Sequence, residues 1–221
     1  MQQVYWIKSS QTWTCPKAGA WKVVCVGGGA SGGVSAGVRG TSSLQSAGGT
    51  TSFGSLLSAS GGTTGHVAYI STCGGYGGFD GMNYGGTPVM LEILGSTRVP
   101  YASSGNGGIL GCSGLGYGAG GGVGSINSIN VKKDSTATSI NIYAVPGKCG
   151  DMTIGIFDLA LNQSVACTVG TSVKPSITAS SLLTYIKAAD SSVTEVTSDP
   201  TIIANAITAG TSGVVYIEFL G

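Results

Sequence analysis

Residues 27–124 hold 32 of the chain's 40 glycines and only Pro88 and Pro100 of its 6 prolines. A glycine at every third position on average limits the possible folds more than any other feature of the chain. Collagen is excluded, because the period is not strict and proline is too scarce. A loose glycine tract would stay disordered, since glycine loses the most backbone entropy on ordering. This one is punctuated by single bulky residues: Leu44, Phe53, Leu56, Leu57, Tyr69, Ile70, Tyr76, Phe79, Tyr84, Ile109, Leu115 and Tyr117. A flexible linker would carry Ser and Thr at those places. We therefore expect an ordered glycine-rich body in which bare backbones approach closely. Extended helices of three residues per turn, laid side by side in the manner of polyglycine II, would satisfy its buried amides and carbonyls.

Charged residues make up 9% of the 221 residues, ten basic against nine acidic, well below the roughly 25% of an average soluble protein. That suits a packed, weakly charged body. It gives no basic patch for nucleic acid, which needs clustered Lys and Arg. The opening MQQVYWIKSS has neither the charged nor the apolar region of a secretory signal, and no run approaches the ~18 apolar residues of a membrane span. The expectation is a chain made in the cytoplasm that stays soluble, without membrane insertion. The six cysteines (Cys15, Cys25, Cys73, Cys112, Cys149, Cys167) are then read as free, mostly buried thiols rather than disulfides. They contain no CxxC or CxxH element, which argues against structural zinc. No cofactor is implied.

Alternating apolar residues predict strands at both ends. Val4–Ile7 is a short strand, and Trp21, Val23 and Cys25 share one face of a longer one. Pro16 and Gly19 predict a turn joining residues 11–14 and 21–26 as a hairpin. Near the C-terminus Val215, Ile217 and Phe219 are expected inward, with Tyr216 and Glu218 outward. Terminal strands this apolar need partners, so both are placed in one sheet that clamps the domain. Strands at 139–145, 152–157 and 164–169 would complete a β-sandwich. Two short helices are expected in 171–210. One is opened by Ser180 or Ser181. The other has Asp199 as N-cap, Pro200 in its first turn and Gly210 as its stop. The chain is thus read as a single all-β domain. A β-sandwich frame (1–26, 126–170 and 211–221) carries a glycine-rich, polyglycine-II-like insertion (27–124) and a variable segment (171–210).

Several phrases resemble the glycine-rich domains of bacteriophage tail-fibre and tail-tip proteins. WTCPKAGAWKVVCVGGGASGG has their aromatic-Thr-x-Pro-x-x-Gly-x-aromatic strand pair running into polyglycine. GGTTSFGSLLSASGG (48–62), LNQSVACTVG and the closing GTSGVVYIEFLG are similar to further recurring phrases of these proteins. The resemblance covers most of residues 11–170 and the last dozen, whereas 171–210 depart from it. It implies a virion protein that binds a host surface polysaccharide or outer-membrane protein. It also implies a homo-oligomer, most simply a trimer. Heptads, a shaft and an upstream anchoring domain are missing from this chain, so a stand-alone tip docking onto other virion proteins is the expected form.

Candidate chemistry is sparse. Gly27–Gly32 matches GxGxxG after a strand, but the following GVSAGVRGTSS cannot form a helix and the first acid is Asp80. The dinucleotide fingerprint needs a helix N-terminus for the pyrophosphate and an acid some 20 residues on. His66 is the only histidine and has no acid within a dozen residues, so no hydrolytic triad is legible. The carboxylates are scattered singly, without a close pair for glycoside hydrolysis. No enzyme and no metal site is expected. The spaced aromatics Tyr76, Phe79, Tyr84, Tyr101 and Tyr117 are the receptor-binding candidates, because tyrosine presents apolar area and a hydroxyl at low entropic cost. The same rings could instead fill gaps in a lattice with few side chains. Receptor binding through these loops is one expectation, and a purely structural capsid or tail component is the other.

Overall fold

The computed structural model describes residues 3–36, 44–64, 89–93, 97–102, 116–124, 128–145 and 147–221. Its strands in chain order are β1 (Val4–Ile7), β2 (Gln11–Thr14), β3 (Gly19–Val26), β4 (Gly33–Ala36), β5 (Thr51–Phe53), β6 (Leu57–Ala59), β7 (Val89–Ile93) and β8 (Thr97–Ala102). β9 (Ser128–Lys133), β10 (Thr136–Val145), β11 (Met152–Leu159) and β12 (Ser164–Thr168) follow. Helix α1 (Ala179–Ala189), β13 (Val193–Val196), helix α2 (Pro200–Ala206) and β14 (Val214–Phe219) complete the order. The fold is mostly β and its ladders are antiparallel. Among the described residues, no helix is long and apolar enough to cross a membrane.

The terminal strands do share a sheet, in the order β1-β14-β3-β11. A second sheet, β2-β12-β5-β6, faces it across a core of Ile7, Trp13, Trp21, Val23, Cys25, Phe53, Leu159, Val165, Cys167, Val215 and Ile217. Trp13 and Trp21 meet edge to face at 5.3 Å, a geometry that adds to simple burial. Residues 11–14 and 21–26 do not form the expected hairpin. β2 pairs with β12 while β3 pairs with β14 and β11. The turn at 15–18 therefore carries the chain from one sheet to the other, which lets Trp13 and Trp21 point at each other.

A third sheet, β13-β9-β10-β4, stands apart from the sandwich. β9 and β10, expected within the sandwich frame, belong here. Both helices pack on this sheet through Leu182, Ile186, Ile203 and Ile207 against Val34, Ile129, Val131, Ile142 and Val193. α1 begins at Ala179, ahead of the expected Ser180 or Ser181. Thr178 is its N-cap, and Thr178 and Ser181 exchange side-chain-to-backbone bonds in a capping box. α2 has the expected Asp199 cap and Pro200, but it ends at Ala206, before Gly210. β7 and β8 form a separate two-stranded sheet.

Between β3 and β4, residues 27–32 join no strand ladder, and their amides donate outward with a period of three. Gly27 and Ala30 donate to Asp151 and Lys148, Gly28 and Ser31 to Gly49 and Ser46, and Gly29 and Gly32 to Thr211 and Thr208, all at 2.9–3.0 Å. A partner recurring at every third residue means three residues per turn, with no bond inside the helix itself. The neighbours also bond to one another in a closed ring. Gly48 donates to Gly62, Asp151 to Ser60, Gly147 to Gly121, Thr211 to Ala119, Gly213 to Gly170 and Gly49 to Thr171.

One central segment is thus surrounded by six others, taken from 46–49, 60–62, 147–151, 118–122, 208–213 and 170–171. Half of the ring comes from outside the glycine-rich stretch, from segments with isolated glycines at 147, 150, 170, 210 and 213. Elsewhere in 27–124 the described residues form β4 to β8 and the bends beside them, and 37–43, 65–88, 94–96 and 103–115 lie outside the described residues. The lattice backbones touch with no room for side chains. A Cβ on Gly29 would overlap the Ala119 carbonyl, and one on Gly170 the Gly49 carbonyl. At 3.1 Å per residue, the six central residues span about 19 Å between the sandwich and the third sheet.

Candidate binding site

Where the lattice meets the sandwich, the outer face of the terminal sheet is also apolar. Val24, Val26, Val214 and Tyr216 are fully buried there, packed by Val4, Trp6, Tyr117, Cys149 and Met152. Tyr216 and Glu218, expected outward as solvent-facing residues, do lie on the face opposite Val215 and Ile217, yet both are buried. Their burial is compensated. The Tyr216 hydroxyl donates to Glu218 Oε2 at 2.9 Å, and Lys22 Nζ lies 3.6 Å from the same oxygen. Desolvation, and then the bond to the Glu218 carboxylate, push the Tyr216 hydroxyl pKa up.

On this platform the side chains of Trp6 and Tyr216 meet edge to face at 4.9 Å, and Tyr117 stacks on Trp6 at 5.7 Å with an interplanar angle of 29°. The alternation of β1 puts Trp6 here, opposite Tyr216 in the ladder. Tyr117 is delivered by a tight bend between Gly116 and Gly118, with φ of 90° and 69°, a backbone region open to glycine. That bend is clamped to the last lattice segment. Thr211 Oγ1 donates to the Gly116 carbonyl at 2.6 Å and accepts from the Ala119 amide at 2.7 Å, while the Gly118 amide donates to Ser212 O at 2.9 Å.

Lys8, just past β1, holds its ammonium 5.9 Å from the Tyr117 ring centroid, within range of a cation–π contact. Lys8, Gly116, Tyr117, Thr211, Ser212 and Gly213 line an open cleft of about 390 Å³. Among the described residues Lys8 takes part in none of the ion pairs. Chemically this is a small cleft with an aromatic wall, a backbone-rich lining and one cation.

Of the five aromatic candidates, Tyr117 is placed at this cleft. Tyr101 falls at the irregular end of the β7–β8 ladder, between the partners of Val89 and Met90. Tyr76, Phe79 and Tyr84 lie outside the described residues, as does His66. Sequence reasoning missed Trp6 and Lys8. Their i, i+2 spacing across the end of β1 was the available signal, but nothing local said that this face would be covered by Tyr117. In the GxGxxG match every amide from Gly27 to Gly32 is committed to a neighbouring carbonyl, so none is left to cradle a phosphate. The described cysteines Cys15, Cys25, Cys149 and Cys167 are free thiols. Burial, with Cys167 as a smaller contributor, pushes the Cys25 thiol up to about 12. Burial raises Cys167 to about 11. Set against family models, curated proteins and solved structures, the chain matches none.

Proposed function

We propose that the chain is a bacteriophage virion protein of the tail fibre or tail tip that binds a host cell-surface receptor without catalysis. One observation carries this beyond composition: phrases that resemble tail-fibre and tail-tip proteins, far apart in sequence, are direct partners in space. The Gly28 amide donates to Gly49, the Gly62 amide donates back to Gly28 O at 2.7 Å, and the Gly29 amide donates to Thr211 of the closing phrase. A biased sequence resembling the family by chance would have no reason to join those phrases in one lattice.

The architecture suits adhesion. Its lattice has few rotamers to freeze, so surfaces mounted on it lose little entropy on binding. Several copies on one particle would make modest single-site affinity sufficient. In this reading the protein resides in the virion as a homo-oligomer, a trimer by the family resemblance, docked on other virion proteins. Its receptor is a surface polysaccharide or an outer-membrane protein. The test is adsorption of purified protein to candidate bacterial cells, with excess protein competing against the phage. Saturable adsorption that blocks infection is expected. Folded protein that neither adsorbs nor blocks infection refutes the proposal.

That outcome would favour a purely structural role in the capsid or tail. Ile154 and Ile156, 52% and 65% exposed on β11, are the observation favouring this second reading, since adjacent exposed isoleucines suit a protein contact.

A further inference from the structure

We infer that the cleft at Tyr117 receives an acidic saccharide unit, its carboxylate or phosphate meeting Lys8 and its apolar ring face meeting Tyr117. This rests on the receptor-binding proposal and narrows it from a surface receptor to a charged glycan at a named site.

Size is the first argument. At about 390 Å³ the cleft is at the lower end of small-ligand sites, which suits one or two sugar rings better than a folded protein epitope. Chemistry is the second. A pyranose presents a C–H face that packs on an aromatic ring, and hydroxyls that bond to backbone and small polar groups. Tyr117 offers the ring face and the exposed Ser212 a polar group, on a lining that is otherwise largely apolar.

Charge is the third argument. Lys22, Lys132 and Lys133 are each matched to a carboxylate; of the described lysines without one, Lys8 is the one that borders the cleft, its ammonium near the Tyr117 ring. An incoming anion would meet an ammonium whose charge nothing among the described residues cancels. Pre-organisation is the fourth. The stack on Trp6 and the Thr211 clamp fix the Tyr117 wall before any ligand arrives.

The test is a glycan array carrying uronate-, neuraminate- and phosphate-bearing bacterial oligosaccharides beside neutral ones, probed with the full chain. Retained glycans are then titrated calorimetrically and by Trp6 fluorescence, Trp13 and Trp21 being buried. Retention of acidic members is expected, with affinity falling about tenfold or more after carboxyl reduction or phosphate removal. Lys8→Gln should lose as much. Lys8 is exposed and outside the core clusters, so this variant keeps the fold. Ser212→Leu, which fills the cleft from another exposed position, should also abolish binding.

Three results would overturn the inference: no acidic glycan retained above neutral ones, equal affinity after the charge is removed, or unchanged binding by Lys8→Gln. Adsorption to cells that is lost when their surface proteins are digested would also overturn it, in favour of a protein receptor. Adsorption that blocks infection with no acidic glycan bound would sink this inference alone. Absence of adsorption altogether would sink the receptor-binding proposal with it.

Discussion

Replacing Gly29 by alanine tests the lattice directly. The added methyl would overlap the Ala119 carbonyl and press on Gly118 O. Both atoms are backbone, so no side chain can swing aside, and segment 118–121 must move as a unit. Four backbone bonds lie in its path: Gly29 to Thr211 (2.9 Å), Thr211 to Ala119 (2.8 Å), Gly118 to Ser212 (2.9 Å) and Gly150 to Gly118 (2.8 Å). A buried group left without its partner costs about 1–3 kcal/mol, and overpacking adds about 1–3 kcal/mol. If two of the four bonds fail, the loss is about 2–8 kcal/mol, centred near ~5 kcal/mol, after the ~0.4–1 kcal/mol that alanine recovers from the unfolded chain. For a chain of this size the central value lowers Tm by about 10–20 °C.

Gly124→Ala is the matched control, because its Cβ would sit 3.4 Å from Ala206 Cβ, an ordinary contact. It should change stability by no more than about 1 kcal/mol, in the favourable direction. Calorimetric melts and urea titrations of the two variants read the difference. Equal melting of both, or a Gly29→Ala protein that melts with the parent, would refute the close-packed lattice.

Three further outcomes follow from local geometry. Asp134 and Ser135 connect β9 to β10 with φ of 46° and 70°, the two-residue hairpin turn that favours glycine. Ser135→Gly should therefore raise stability by about 1 kcal/mol in a urea titration, and a loss would contradict the turn assignment. The Lys133 ammonium, helped by Ser192, holds the Asp190 carboxyl down at about 2. The stability from this pair is complete above the ordinary carboxylate range and is lost as pH falls from about 4 toward about 2. Asp190→Asn should flatten that part of the pH–stability curve, and an unchanged curve would count against the pair. Because burial lifts the Cys25 and Cys167 thiols to about 12 and about 11, both should resist iodoacetamide at pH 8 in the folded protein. Their contribution to stability is complete below about pH 9 and declines as pH rises toward those values, since the unfolded thiols ionise first. Rapid alkylation without unfolding would refute their burial.

Features encoded within a few residues were legible beforehand. Alternation marked β3 and β14, and the apolar character of both ends required partners, for which one shared sheet was the economical choice. Asp199-Pro200 announced α2, because a cap and a fixed φ act within one turn. The density of glycine, with bulky residues too frequent for a linker, pointed to side-by-side extended helices, and residues 27–32 bond in that manner. Tyr117 was among the candidate residues for the same reason: a tyrosine in a glycine-rich bend has little to pack against locally.

Partner choice was left to the tertiary structure. Lattice bonds join backbone amides to backbone carbonyls, which are the same in every residue, so no side-chain pattern says that Gly28 will meet Gly49 or that Gly29 will meet Thr211. Isolated glycines at 147, 150, 170, 210 and 213 look like ordinary turn residues until the central segment lies against them. The burial of Tyr216 and Glu218 and the assembly of Lys8, Trp6 and Tyr117 depend on how residues 116–118 close over the outer face of the terminal sheet. That contact joins residues more than a hundred positions apart. The sequence alone determined a β frame and pointed to glycine backbones in close contact, which residues 27–32 and their neighbours show. Only long-range packing decided which backbones would touch and where a cleft would remain.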